Sequence, residues 1–147
     1  MAAYITKSAE ETEQVGASLG KTLIKGDVVA IFGEMGAGKT AFVRGLATGM
    51  GLSSCVSSPT FALVHEYQGE LALYHFDMYR INSWDDLYST GFFDYLYSAG
   101  VVVVEWSENI ESALPENSIK VIISLGNTLN ERKIVIMEDK NIENTCG

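Results

Sequence analysis

Two spacings of apolar positions alternate along the chain, and the changes between them outline its elements. In KSAEETEQVGASLGKTLIKG, Val15, Leu19 and Leu23 recur every four residues, which predicts one stripe of a helix. Ser8 is its expected N-cap, acidic residues fill its first turn, and Gly26 is its expected stop. DVVAIFG is a short unbroken apolar run, as expected of a strand buried on both faces. From Lys39 to Met50 the helical period returns, with Phe42, Leu46 and Met50 on one side and Gly51 at the end. FALVHEY and LALYHFDMY flank the turn QGE and predict a hairpin. INSWDDLYSTGFFDYLYSAG offers Asn82 or Ser83 as a cap and reads as two short helical pieces broken at Gly91. VVVVEW is a second buried strand, and SIKVIISL and RKIVIME flank GNTLNE as a second hairpin.

Strands alternating with helices predict an α/β fold of three layers, its central sheet mainly parallel but mixed because of the hairpins. The chain has 147 residues, 47% of them hydrophobic, which suits a single domain over residues 1–138 followed by a polar tail over 139–147. MAAYITKSAEETEQ turns polar too soon for a secretory leader, and the apolar runs are too short to cross a membrane, so a soluble cytoplasmic protein is expected. Cys55 and Cys146 give neither a metal spacing nor a disulfide framework. Ten basic residues against nineteen acidic ones make a poor surface for gripping nucleic acid alone. Any contact with RNA is therefore expected through a partner protein. The negative surface either attracts a basic partner or serves solubility.

Candidate chemistry begins at IFGEMGAGKT. Gly33, Gly38, Lys39 and Thr40 fit G-x-x-x-x-G-K-[ST] between a predicted strand and a predicted helix, the setting that this phosphate loop requires. The glycines let backbone N–H groups turn toward phosphate oxygens, and the following helix presents its positive end. Lys39 reaches the β- and γ-phosphates, and the Thr40 hydroxyl is a ligand for Mg²⁺. With Gly36, Ala37 and Ala41 these residues form the expected ATP-binding loop of a P-loop NTPase-like domain. Glu105, directly after four valines, has the strand-then-acid form of a second magnesium-side residue, direct or through water. Asp77 ends its strand in the same way. It either positions or deprotonates the attacking water, joins the outer shell of the metal, or is simply a helix-cap or turn aspartate. His75 alternates with Asp77 on one strand face and reads as a structural histidine.

GEMGAGKT, SSPTFALVHEY, LYHFDMYRI and VVVVEW occur in that order, from SAEET to Arg132, together with GFFDYL and the pair Leu114–Pro115. In these motifs the chain resembles the TsaE family (formerly YjeE), small bacterial ATPases required for threonylcarbamoyladenosine modification of tRNA. The resemblance implies a switch-like loop at Ser58, Pro59 and Thr60, with Thr60 sensing the γ-phosphate. It implies Mg²⁺ held by Thr40 and Glu105, catalysis through Lys39, Thr60, Asp77 and Glu105, and Trp106 beside the nucleotide. Arg132 would contact the nucleotide, and the backbone around Ala9 and Glu10 would approach the adenine. Ala41 departs from the second hydroxyl residue of many members, at a net cost of about 1 kcal/mol for a lost hydrogen bond. The resemblance also implies that TsaD with TsaB performs the transfer at the adenosine next to the anticodon. The ATPase binds that pair and meets tRNA only through it. Two other readings stay open, a small-molecule P-loop kinase and an ATP-dependent interaction module that does not hydrolyse. The kinase reading lacks an arginine-bearing lid, because Arg44, Arg80 and Arg132 do not cluster in the sequence.

Overall fold

The two unbroken apolar runs become the two central strands of one sheet. A computed structural model of the chain describes residues 1–34, 36–52, 64–79, 81–97 and 99–138. Its seven strands are β1 (Ala2–Thr6), β2 (Val28–Gly33), β3 (Val64–Tyr67), β4 (Leu73–Asp77), β5 (Val101–Glu105), β6 (Ile119–Leu125) and β7 (Arg132–Met137). They lie in the order β1-β7-β6-β2-β5-β4-β3. β6, β2, β5 and β4 are mutually parallel, whereas β3 on β4, β7 on β6 and β1 on β7 pair antiparallel. Only β3 and β7 therefore run against the rest, and both expected hairpins form.

Four helices cover the sheet: α1 (Ala9–Gly20), α2 (Lys39–Gly49), α3 (Trp84–Ser89) and α4 (Phe92–Tyr95). Strand pleating divides the valines of β5 between the two faces. Val101 and Val103 join Val29, Ile31 and Ile123 under Leu19 of α1 and Phe42, Val43 and Leu46 of α2. Val102 and Val104 join Val28 and Phe76 under Leu87 of α3, Phe92 of α4 and Ile110. Ile110 belongs to two 3₁₀ turns, Ser107–Ala113, that follow β5. These are the three expected layers. Phe42, Phe76 and Phe92 are fully buried, each contributing about 1.5–3 kcal/mol of transfer free energy.

α1 and α2 pack backbone against backbone. A Cβ on Gly45 or Gly49 of α2 would run into the carbonyl of Glu13 or Ala17, and one on Gly16 or Gly20 of α1 into that of Phe42 or Leu46. Glycine is what permits this approach. Ser8 caps α1 as expected, its side chain accepting from the Glu11 N–H.

Three local features differ from the sequence reading. α1 stops at Gly20, six residues short of the expected Gly26, because the chain tightens into turns with Thr22 N bonding Leu19 O at 2.9 Å. Leu23 still reaches the core at 7% exposure, so the apolar spacing outlasts the helix. β1 and the 3₁₀ turns were not expected from the pattern. The predicted tail and the Ser58–Thr60 loop lie outside the described residues. Among the described residues no helix is long and apolar enough to cross a membrane.

Candidate functional site

β2 ends at Gly33 at the carboxyl edge of the parallel strands, where crevices of open α/β sheets take their ligands. The chain then turns into α2. Gly36 (φ 81) and Gly38 (φ 101) occupy the left-handed region, which costs any residue with a side chain about 1–2 kcal/mol. Ala37 beneath them is fully buried. Gly38 is the N-cap of α2 and supplies no capping side chain. The first N–H to bond back into the helix is that of Phe42, to Gly38 O at 3.0 Å. The amides of Lys39, Thr40 and Ala41 begin the helix, where backbone donors lack a partner within the helix, with the positive end of the helix behind them.

Lys39 is 5% exposed. Its Nζ donates to Gly33 O, and to Glu34 O at 3.3 Å, and lies 3.5 Å from the centroid of the Trp106 ring. Burial pushes its ammonium below the ordinary lysine pKa, while the carboxylates of Glu108, Glu105 and Asp77 pull it back up. Trp106 reaches this position from a left-handed backbone (φ 58, ψ 43) at the start of the 3₁₀ turns. One residue into those turns past Ser107, Glu108 accepts from the Gly33 N–H at 2.9 Å and ties this segment to β2.

The two predicted acids end neighbouring strands, Asp77 in register with Glu105. Their surroundings differ. Asp77 is exposed and accepts from the Tyr79 N–H at 3.0 Å, the turn role foreseen as one possibility. Glu105 is 7% exposed, and its Oε2 lies 2.5 Å from His75 Nε2. The Tyr79 ring packs on Trp106 at 4.9 Å between centroids.

The loop, with Lys39 and Thr40, shares one open cleft of about 460 Å³ with Asp77, Tyr79, Glu105 and Trp106. A smaller pocket of about 110 Å³ adjoins it, where Ser8, Ala9 and Thr12 of the α1 start meet Gly38, Ala41 and Arg132. Arg132 donates to Leu129 O and Glu131 O, each at 2.8 Å, and to Gly36 O at 3.1 Å. It clamps the β6–β7 loop to the phosphate loop. Of the predicted site residues, Ala9, Gly36, Gly38, Lys39, Thr40, Ala41, Asp77, Glu105, Trp106 and Arg132 line these two adjoining spaces. Gly33 and the buried Ala37 line neither, and Thr60 lies outside the described residues. Sequence reasoning missed Tyr79 and Glu108 and left His75 as structural. The alternation of His75 with Asp77 was the one available signal.

The oxygen donors of Thr40 and Glu105 on one cleft suit a hard divalent cation that keeps most of its ligands from phosphate and water. Among the described residues no group of three or more His, Cys, Asp or Glu forms a cage of its own.

Fold and loop together define an α/β protein of the P-loop type. Residues 6–134 match the family described as threonylcarbamoyl adenosine biosynthesis protein TsaE. The chain belongs to that family. It is 42% identical over 117 residues to the tRNA threonylcarbamoyladenosine biosynthesis protein TsaE of Treponema pallidum (strain Nichols), covering 80% of this chain and 87% of that one. It is 39% identical over 119 residues to the protein of the same name from Bacillus subtilis (strain 168), covering 80% and 74%. The crystal structure of Bacillus subtilis YdiB superposes with a TM-score of 0.77 at 31% identity, covering 99% of this chain and 90% of that one.

Proposed function

We propose that the chain is an Mg²⁺-dependent ATP-binding and ATP-hydrolysing subunit serving formation of threonylcarbamoyladenosine in tRNA, where it gates the TsaB–TsaD transferase pair. One observation carries this reading. In a chain of the TsaE family, the glycine loop at the start of α2 opens onto the same cleft as Asp77 and Glu105.

In this reading the amides at the start of α2 hold the phosphate oxygens. Lys39 exchanges the carbonyls of Gly33 and Glu34 for the β- and γ-phosphates. Thr40 and Glu105 hold Mg²⁺, which when bound neutralises charge on the phosphates. Asp77, the exposed acid of the pair, orients the attacking water, and the Trp106 ring walls the cleft. The pocket between Ala9 and Arg132 receives the adenine end. TsaD and TsaB hold the tRNA, and no membrane takes part.

A phosphoryl-transfer role toward a small molecule has less support. Arg44 pairs with Glu13 at 2.8 Å, and Arg132 commits its donors to backbone carbonyls. Both are engaged away from a phosphate lid, and Arg80 lies outside the described residues.

Steady-state ATP hydrolysis with Mg²⁺, alone and with the TsaB–TsaD pair, tests the proposal. Slow turnover that rises with the pair and disappears in Lys39→Ala is expected. Equal rates with and without the pair would remove the gating role, and no turnover in either case would remove the ATPase.

A further inference from the structure

We infer that His75 is a positioning residue that keeps Glu105 from pairing with Lys39. This rests on the nucleotide reading above, but it names a residue to which that reading gives no role. Lys39 and Glu105 are buried, oppositely charged and share one cleft. Attraction between such groups grows as water is excluded, and a direct pair would occupy both the phosphate-binding ammonium and the acid offered to the metal. Yet Glu105 pairs with His75, and Lys39 turns to backbone carbonyls instead.

The geometry shows what holds the two apart. His75 stands two residues before Asp77 on β4, and Asp77 is in register with Glu105. All three side chains therefore share one sheet face, and His75 meets Glu105 on the diagonal between parallel strands. The reach of an imidazole brings Nε2 to 2.5 Å from Oε2, with side-chain exposures of 11% and 9%. A carboxylate only accepts, so the imidazole N–H donates. The His65 ring stands 5.8 Å away on the β3 side and backs the imidazole. Lys39, denied the carboxylate, rests on two backbone carbonyls and an indole face. These are neutral partners that phosphate displaces more readily than it would a carboxylate.

The test is ADP affinity measured in EDTA, without metal, so that only the ammonium is at issue. His75→Ala is expected to weaken metal-free ADP binding by about tenfold, the loss of one charge-assisted contact, because Glu105 now captures Lys39. Adding Glu105→Gln to His75→Ala is expected to restore it, since a neutral amide has no such hold on the ammonium. His75→Gln, which keeps a donor at similar reach, is expected to bind like the wild type. Should His75→Ala not fold, His75→Asn, polar but too short to reach Oε2, takes its place. Unchanged metal-free affinity in the short variant, or no recovery with Glu105→Gln, would overturn the inference. A readout without ligand separates it from the nucleotide reading. In a Trp84→Phe background, His75→Ala should shift the emission of Trp106 as Lys39 leaves its ring, and an unchanged spectrum counts against the inference. Wild-type protein that binds no ADP would instead overturn the nucleotide reading alone.

Discussion

A buried ammonium resting on two carbonyls and an indole face, as that of Lys39 does, is held by neutral groups and desolvated at the same time. Its lowered pKa fixes the sign of a pH effect. Between the folded pKa and the ordinary value of 10.5 the unfolded chain binds more protons than the folded one. Folding stability therefore rises with pH across that window. Relative to Lys39→Met, the unliganded wild type should gain stability as the pH climbs toward 10.5, as denaturant titrations at several pH values would record. The same side chain supplies a spectroscopic handle. The chain has two tryptophans, so Trp84→Phe leaves Trp106 alone. Mg²⁺–ADP should then change its emission by drawing Lys39 off the ring, and Lys39→Ala should remove that change. The residues of the loop were legible in the sequence because their chemistry is local, fixed by the spacing from Gly33 to Thr40. The His75–Glu105 contact was not, because it depends on which strands become neighbours and in what register. Four consecutive valines carry no record of that.

At the scale of elements, the contact between α1 and α2 gives the sharpest expectation. Gly45→Ala places a methyl against the Glu13 carbonyl, which is backbone and cannot swing aside. Overpacking of this kind costs about 1–3 kcal/mol, so Tm should fall by several degrees in a thermal melt, at about 2–4 °C per kcal/mol for a chain of this size. Ser8→Ala should cost about 1 kcal/mol through the lost cap of α1, read the same way. Most elements could be read from spacing because buried faces dictate it: β2, β5, α2, both hairpins and the break at Gly91 (φ 78) all stand where the pattern put them. β1 escaped because AAYIT is short and largely exposed at a sheet edge, with no apolar rhythm to betray it. The end of α1 was misplaced because Leu23 is buried by a turn instead of by a helix.

At the scale of the whole molecule, charge is unevenly spread. Residues 81–119 hold Asp85, Asp86, Asp94, Glu105, Glu108, Glu111 and Glu116 and no lysine or arginine. Apart from the buried Glu105, these carboxylates make a surface that repels phosphate backbones. The chain by itself should show no saturable tRNA binding at physiological salt, as fluorescence anisotropy with labelled tRNA would establish. Binding to a protein pair that depends on this surface should weaken as salt rises. The glycine-to-carbonyl seam between α1 and α2 bears on the whole as well. Ala9 at the small pocket and Lys39 at the cleft begin two helices whose backbones touch at four glycines, a contact that leaves little room for one to slide on the other. If the two spaces take a nucleotide as proposed above, the distance from pocket to cleft is a fixed gauge and not a jaw, cut into the scaffold. A molecule of the wrong length should then gain nothing from induced adjustment along that seam, and selectivity for length would come without a moving part.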